Sequence, residues 1–367
     1  MRALRLAIVG FVLGSVACAG GPVVRADRVR FAQRSSALLV TSEGSTVRVL
    51  GVPDLRAQWS RAYPVEKNKP LLAELSASGR YVLVRSDEHL WLTDRADPGG
   101  PRDVLTLAQR LDPEAFTDDP VSASAVAAIS PDEQWFARVD DRALSLYALP
   151  EARRVSIPAE LAAYPACADG STSCGVTEVS FSADSAWILV KHRPDAESRR
   201  ALLGRLKAPF DVHHVPLPGS REGQRATFFG GTGEVLFARW NLLRLFGPDG
   251  ERALPGELDV DACPGPLSVY SAMFPTALCI SGTGNVFDVT LRDLAAGRVL
   301  ASFDSKDLTT LAQGPLAARA MGKDRAVLVY AKDGTVLTLG GKEPKRAFSL
   351  GRRAPDLREA PDAPLLP

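Results

Sequence analysis

Four histidines and five cysteines are the residues of this 367-residue chain best suited to catalysis or metal binding. His89 opens an apolar stretch and His192 sits among charged residues. His213 and His214 are adjacent, so on a strand they point to opposite faces and make poor partners for a shared metal. No Cys-x-x-Cys pair accompanies them, which disfavours zinc. The chain also lacks a P-loop, a Gly-x-Ser-x-Gly elbow and a His-Glu-x-x-His motif. The expectation is a protein with no catalytic residues, no metal and no cofactor.

The cysteines point instead to a compartment. Arg2 and Arg5 flank an apolar run from Leu6 to Ala17 that is too short to span a bilayer and ends in small residues, the pattern of a secretory leader over residues 1–17. Ser15-Val16-Ala17-Cys18 resembles the site at which bacterial lipoproteins are cleaved and lipidated, which implies a lipid on Cys18. Cleavage after Ala17 or Ala19 without lipid is the competing reading. Either way the chain is expected to be exported, as a periplasmic protein or one anchored to the outer membrane. With Cys18 set aside, Cys167, Cys174, Cys263 and Cys279 form an even set with three possible connectivities. The flexible Ala-Asp-Gly-Ser-Thr-Ser segment favours Cys167 with Cys174 and leaves Cys263 with Cys279. Buried, unpaired cysteines are the alternative, for Cys279 above all.

Composition narrows the partners. The 44 Lys and Arg against 43 Asp and Glu give a formal net charge of +1, and loss of Arg2 and Arg5 with the leader turns it to −1. A near-neutral chain without a long basic run is not expected to bind nucleic acid. Residues 23–350 show no break in composition. The tail, residues 351–367, mixes Pro355, Pro361, Pro364 and Pro367 with charges and is expected to be disordered.

The elements that must carry any site are revealed by a repeat. Ala125 to Ile129 is a short apolar run, Ser130-Pro131-Asp132-Glu133 has turn chemistry, and Trp135 to Val139 is rich in strand formers. Ala143 to Leu149 then alternates, and Pro150-Glu151-Ala152-Arg153 turns the chain into a fourth strand ending at Ile157. Four strands with tight turns predict an antiparallel meander that needs copies of itself on both faces. Phe31, Leu75, Ile129, Phe181, Phe229 and Ala320 mark the same first-strand position in successive copies. With a weaker copy near Ser271, the step is about 48 residues, which gives about seven units. Third strands are expected at Thr46 to Val52, His89 to Asp94, Ala201 to Leu206, Leu242 to Gly247, Val286 to Asp293 and Thr335 to Gly341. Arg56, Arg102, Arg153, Arg252, Arg298 and Arg346 mark entry to the fourth.

Leu291-Arg292-Asp293-Leu294-Ala295-Ala296-Gly297-Arg298-Val299-Leu300 resembles the turn between the third and fourth strands of WD40-like and quinoprotein-type propellers. Ile129-Ser130-Pro131-Asp132 resembles the turn of TolB-like propellers. The resemblance implies an all-β chain forming a single β-propeller of about seven four-stranded blades. Some propeller hydrolases hold calcium in the central channel, and Glu74 and Glu178 on first strands are the candidates here; a solvated channel lining is the favoured reading. Tyr81, Trp135 and Trp187 share one blade position, which packing between blades explains better than a ligand cage.

In such a meander, the links from second to third strand and from fourth strand to the next blade emerge on one face. The longest links fall in that group: Ala108 to Ser124, Ala159 to Gly175, Lys191 to Arg200 and Gly256 to Leu267. They are either recognition loops or tolerated insertions. Lys191, His192, Arg193, Arg199 and Arg200 make one stretch basic, and Asp112, Glu114, Asp118 and Asp119 make another acidic. The expected function is a non-enzymatic scaffold of the bacterial envelope that binds a protein or surface polymer. An exported enzyme or sensor with a ligand or metal in the channel is the alternative.

Overall fold

A computed structural model describes residues 28–32, 35–51, 56–66, 71–86, 88–108, 127–140, 143–162, 175–193, 200–206, 210–215, 225–229, 233–239, 242–253, 269–270, 276–283, 286–293, 298–303, 315–321, 326–331, 335–339 and 346–349. These residues form seven four-stranded antiparallel sheets, each pairing its strands in chain order. The first contains β1 (Arg28–Ala32), β2 (Ser35–Glu43), β3 (Thr46–Gly51) and β4 (Ala57–Ala62). The second contains β5 (Leu72–Leu75), β6 (Tyr81–Arg85), β7 (His89–Asp94) and β8 (Arg102–Ala108). The third contains β9 (Ala127–Ile129), β10 (Trp135–Asp140), β11 (Ala143–Ala148) and β12 (Arg153–Val155). A single helical turn, α1 (Ala159–Ala162), precedes the fourth sheet of β13 (Gly175–Phe181), β14 (Trp187–Arg193), β15 (Arg200–Arg205) and β16 (Val212–Val215). The fifth contains β17 (Arg225–Phe229), β18 (Glu234–Arg239), β19 (Leu242–Gly247) and β20 (Gly250–Arg252). The sixth contains β21 (Val269–Tyr270), β22 (Thr276–Thr283), β23 (Val286–Asp293) and β24 (Arg298–Phe303). The last contains β25 (Pro315–Met321), β26 (Ala326–Ala331), β27 (Thr335–Leu339) and β28 (Arg346–Ser349).

First strands of successive sheets pack on one another, β1 on β5, β9 on β13, and β25 against β22 of the sheet before. Sheets stacked face to face around first strands are the arrangement of a β-propeller, and the chain has that fold. The core therefore lies between sheets. Val40, Val47 and Val49 of the first sheet pack against Leu75, Val82 and Val84 of the second. Tyr81, Leu83 and Leu92 of the second meet Ile129 and Phe136 of the third. Ala137, Val139 and Leu146 meet Val179, Phe181 and Ile188 of the fourth, and Leu189 and Leu203 meet Phe228 and Val235 of the fifth. β6 is covered on both faces, Val82 and Val84 by the first sheet and Tyr81 and Leu83 by the third, and all five of its residues are buried.

Two details of register differ from the sequence reading. Leu75, Ile129 and Phe181 pair with Val82, Phe136 and Ile188, each seven residues on, and in the fifth sheet that spacing belongs to Phe228 with Val235. Phe229, the residue singled out by the sequence, is one position late, and a one-residue slip exchanges the faces of the strand. Both phenylalanines are buried, which is why hydrophobicity did not separate them. Arg252 ends β20 instead of opening it, because Pro248-Asp249 is a tight turn and β20 already begins at Gly250.

Candidate functional site

Antiparallel order gives every sheet two edges. One carries the starts of first and third strands and the ends of second and fourth strands, and so receives the long connections; the other carries the short turns. The short-turn edge is built from a repeated device. The N–H groups of Tyr81, Trp135 and Trp187 each donate to a serine hydroxyl five residues earlier, on Ser76, Ser130 and Ser182, at 2.9 Å. Asp132 and Asp184 accept from those of Ser130 and Ser182 at 2.5 Å and from the N–H groups of Gln134 and Ala186 at 3.0 Å. Turn side chains thus satisfy backbone donors that the ladder leaves open.

The same turns tie neighbouring sheets together. Glu133 and Ser185 occupy equivalent positions with φ of 59° and 58°. Glu133 accepts from the Ser78 N–H at 2.8 Å, and Ser185 Oγ accepts from the Asp132 N–H at 2.9 Å. Tyr81, Trp135 and Trp187 stand beside these turns as packing residues. Trp187 has the Arg205 guanidinium 5.9 Å from its ring and His213 at 6.0 Å.

The long-connection edge is held from below by polar side chains on second strands. Ser42 Oγ donates to the Leu71 carbonyl at 2.8 Å, fixing the entry to the second sheet. Arg138, 5 % exposed, donates through Nη2 at 2.7 Å to the carbonyl of Ala108, where connection 109–126 leaves β8. Arg85, fully buried, forms an ion pair with Glu74, so Glu74 belongs to a structural pair and is not a purely solvated lining residue. Glu178 lies directly opposite Lys191 in the ladder. A lone charge on a strand reads as a solvent-facing residue, and only the burial between sheets identifies Arg85 and Arg138 as internal supports.

The predicted basic loop is shorter than the sequence suggested. Lys191, His192 and Arg193 finish β14 and Arg200 opens β15, with His192 paired to Arg200 and Lys191 to Ala201. Only residues 194–199 remain as the connection, because the strand-forming pattern of β14 continues through its charged end. Those four residues are brought together at one edge of the fourth sheet, while Arg199 lies outside the described residues. Asp112, Glu114, Asp118 and Asp119 do too, as do Cys18, Cys167, Cys174 and Cys263. Cys279 on β22 is 3 % exposed and disulfide-bonded. The connection expected from Ala159 is partly core: α1 buries Leu161 fully, between the third and fourth sheets against Ile188 and Leu202. Gly204 makes the room, since a Cβ there would lie 2.8 Å from Leu161 Cδ2.

His89 and the adjacent His213 and His214 lie on different sheets. His89 stacks on Trp91 at 5.4 Å, and His213 lies 2.9 Å from Asp211 while the side chain of His214 is exposed. Among the described residues, no group of three His, Cys, Asp or Glu could hold a metal, and no helix is long and apolar enough to cross a membrane.

Solved structures with this arrangement share little sequence with the chain. Sqt1 of Saccharomyces cerevisiae aligns over 91 % of this chain and 89 % of its own at 9 % identity, with a TM-score of 0.53. Dipeptidyl peptidase 4 of Porphyromonas gingivalis aligns over 88 % at 11 % identity and 0.52; the chain spans 53 % of that protein. The β-propeller domain of Cps50 (Swd1) from Myceliophteria thermophila aligns over 84 % of this chain and 94 % of its own, at 12 % identity and 0.47. No protein-family model matches the chain, and no curated protein matches it by sequence. The likeness is one of fold.

Proposed function

We propose that this chain is a non-catalytic binding scaffold of the bacterial cell envelope, related to WD40-like and TolB-like propellers and anchored by a lipid on Cys18. Its binding surface is the long-connection edge, where Lys191, His192, Arg193, Arg199 and Arg200 face a partner protein or surface polymer together with Asp112, Glu114, Asp118 and Asp119. The observation that supports this reading is the contrast between the edges. One is closed by short turns that hydrogen-bond within and between sheets. The other receives the connections 109–126, 163–174 and 254–268, each longer than any of the turns opposite. Pairing of Cys167 with Cys174 and Cys263 with Cys279 brings stability outside the cell. A surface divided into basic and acidic sectors orients a partner and speeds its encounter, an effect that weakens as salt shortens the screening length to roughly 8 Å.

The test is capture from envelope extracts by immobilised protein, with Lys191, Arg193, Arg199 and Arg200 changed together to Ala. The expected result is loss of a specific captured protein or polymer with only a small fall in Tm, carried by Lys191, which is half-buried and lies opposite Glu178. Unchanged capture by this variant, with loss on altering Ser182 to Ser185, would move the surface to the opposite edge.

A further inference from the structure

The fourth strands are of two kinds. Each ends its sheet on the side away from the first strand, so the fourth strands form the rim of the propeller. A rim strand leaves a row of N–H and C=O groups open, and a long regular one is a template for a strand of another molecule. Three rim strands are long: β4 and β24 have six residues and β8 has seven. All three carry one extra residue. Val49 and Leu50 of β3 pair with Trp59 and Ala57, Leu92 and Thr93 of β7 with Leu105 and Asp103, and Leu291 and Arg292 of β23 with Ala301 and Val299. Gln58, Val104 and Leu300 are therefore bulge residues, and in every case the bulge lies on the rim strand.

The three bulges share one position in the repeat. Traced inward, Thr93 pairs with Val82 and Val82 with Leu75, Arg292 with Ala277 and Ala277 with Tyr270, and Leu50 with Leu39 and Leu39 with Phe31. At the same step the third, fourth and fifth sheets are regular. Leu146 and Tyr147 pair with Val155 and Arg154, Leu203 and Gly204 with His213 and Val212, and Leu245 and Phe246 with Arg252 and Glu251. Their rim strands, β12, β16 and β20, have three, four and three residues, and β28, regular along its pairing, has four. Length and bulge go together. A bulge bends the strand, raises its twist and leaves one residue outside the ladder. The regular runs that remain are residues 59–62, 105–108 and 301–303, no longer than the strands that need no bulge. The long rim strands are also the ones with apolar side chains to hide: Val104, Leu105 and Leu107 of β8 are only half-buried, and Val299 of β24 is the exposed large apolar residue among those described.

We propose that the bulges at Gln58, Val104 and Leu300 close the rim of the propeller to strand addition by a second copy of this chain. The device is independent of which edge binds a partner. Sedimentation velocity of the full chain over a wide range of concentration tests it, with amide exchange as a second readout. The unaltered protein is expected to keep one sedimentation coefficient. Deletion of Gln58 removes an exposed residue and leaves β4 alternating strictly between exposed and half-buried. This variant, and one lacking Val104, are expected to shift to a dimer as concentration rises, with slowed exchange along β4 or β8, because two copies of one edge strand pair antiparallel about a two-fold axis. Val104→Ala trims the same side chain but keeps the extra residue, and is expected to sediment as the unaltered protein does. Adding Thr106→Lys, at an exposed position of β8, to the Val104 deletion should reverse the association, since charge on an edge strand opposes pairing. Association of the unaltered protein with slowed exchange along β4, β8 or β24 overturns the proposal. A Gln58 deletion that unfolds cooperatively yet stays at the parent's sedimentation coefficient overturns it too, as does equal association of Val104→Ala and the Val104 deletion, which would trace the effect to lost packing. If the Val104 deletion fails to fold, the Gln58 deletion, which takes away no buried group, decides alone.

Discussion

Glu133 reaches across from the third sheet and accepts two hydrogen bonds from Ser78 of the second, one from its N–H at 2.8 Å and one from its hydroxyl at 2.7 Å. One sheet further on, the Asp132 N–H is held by Ser185. A residue in left-handed conformation in one turn thus ties down the turn of the preceding sheet. For a residue that is not glycine, this conformation is disfavoured unless its side chain has work to do.

Replacing Glu133 by Ala removes a charged acceptor and leaves its backbone conformation unrelieved. The expected loss is about 1–3 kcal/mol of unfolding free energy, seen as a lower urea midpoint at constant m. Glu133→Gln keeps an acceptor oxygen and is expected to lose less. Equal losses in the two variants would show that the hydrogen bonds to Ser78 do not contribute.

Tyr63 and Tyr81 separate two kinds of buried hydroxyl. The Tyr63 hydroxyl lies 2.9 Å from Thr93 Oγ1, in a network where Asp103 accepts from Thr93 and from both terminal nitrogens of Arg61. The Tyr81 hydroxyl is buried without a partner. Tyr63→Phe is therefore expected to cost about 1 kcal/mol and Tyr81→Phe to be neutral or stabilising. Chemical denaturation of the two variants reads the difference.

Burial pushes both phenols up from 10.0 to about 12. The unfolded chain releases these protons near pH 10 while the folded protein keeps them, so above pH 10 the unfolded state binds fewer protons and stability falls as pH rises. Below pH 10 both states are protonated and the contribution is fully present. Unfolding free energies measured from pH 9 to 12 should fall through this window, and the fall should be shallower in the double Phe variant.

The meander was legible because its signals are local. His89–Asp94, Leu242–Gly247 and Val286–Asp293 are strands with the bounds expected from alternation and flanking turns. What depends on neighbouring sheets was not legible. The buried Arg85 and Arg138 look like surface charges, Leu161 looks like part of a loop, and the phase error at Phe229 follows from two adjacent apolar residues that pattern alone cannot rank.

The anchor predicted at Cys18 has a direct test. Cys18→Ser is expected to move the protein from the membrane to the soluble envelope fraction, because a lipid chain contributes roughly 0.8 kcal/mol per buried methylene. A protein already soluble before substitution would exclude the lipid.

Gly233 and Trp187 offer the sharpest steric test. A Cβ at Gly233 would lie 2.6 Å from Cε2 and Nε1 of Trp187, closer than any real contact allows, and the nearest atoms belong to a broad, rigid ring. That ring is fixed at its base, because the Trp187 N–H is held by Ser182 and its neighbours Ile188 and Leu189 are fully buried. Gly233→Ala is therefore expected to destabilise by about 1–3 kcal/mol, the range for overpacking. If the clash with Trp187 is the cause, Trp187→Leu should offset part of the loss in the double variant, with a coupling of about 1 kcal/mol. Additive effects would instead place the penalty in the backbone of the turn, and a neutral Gly233→Ala would show that the contact between the fourth and fifth sheets is looser than these distances imply.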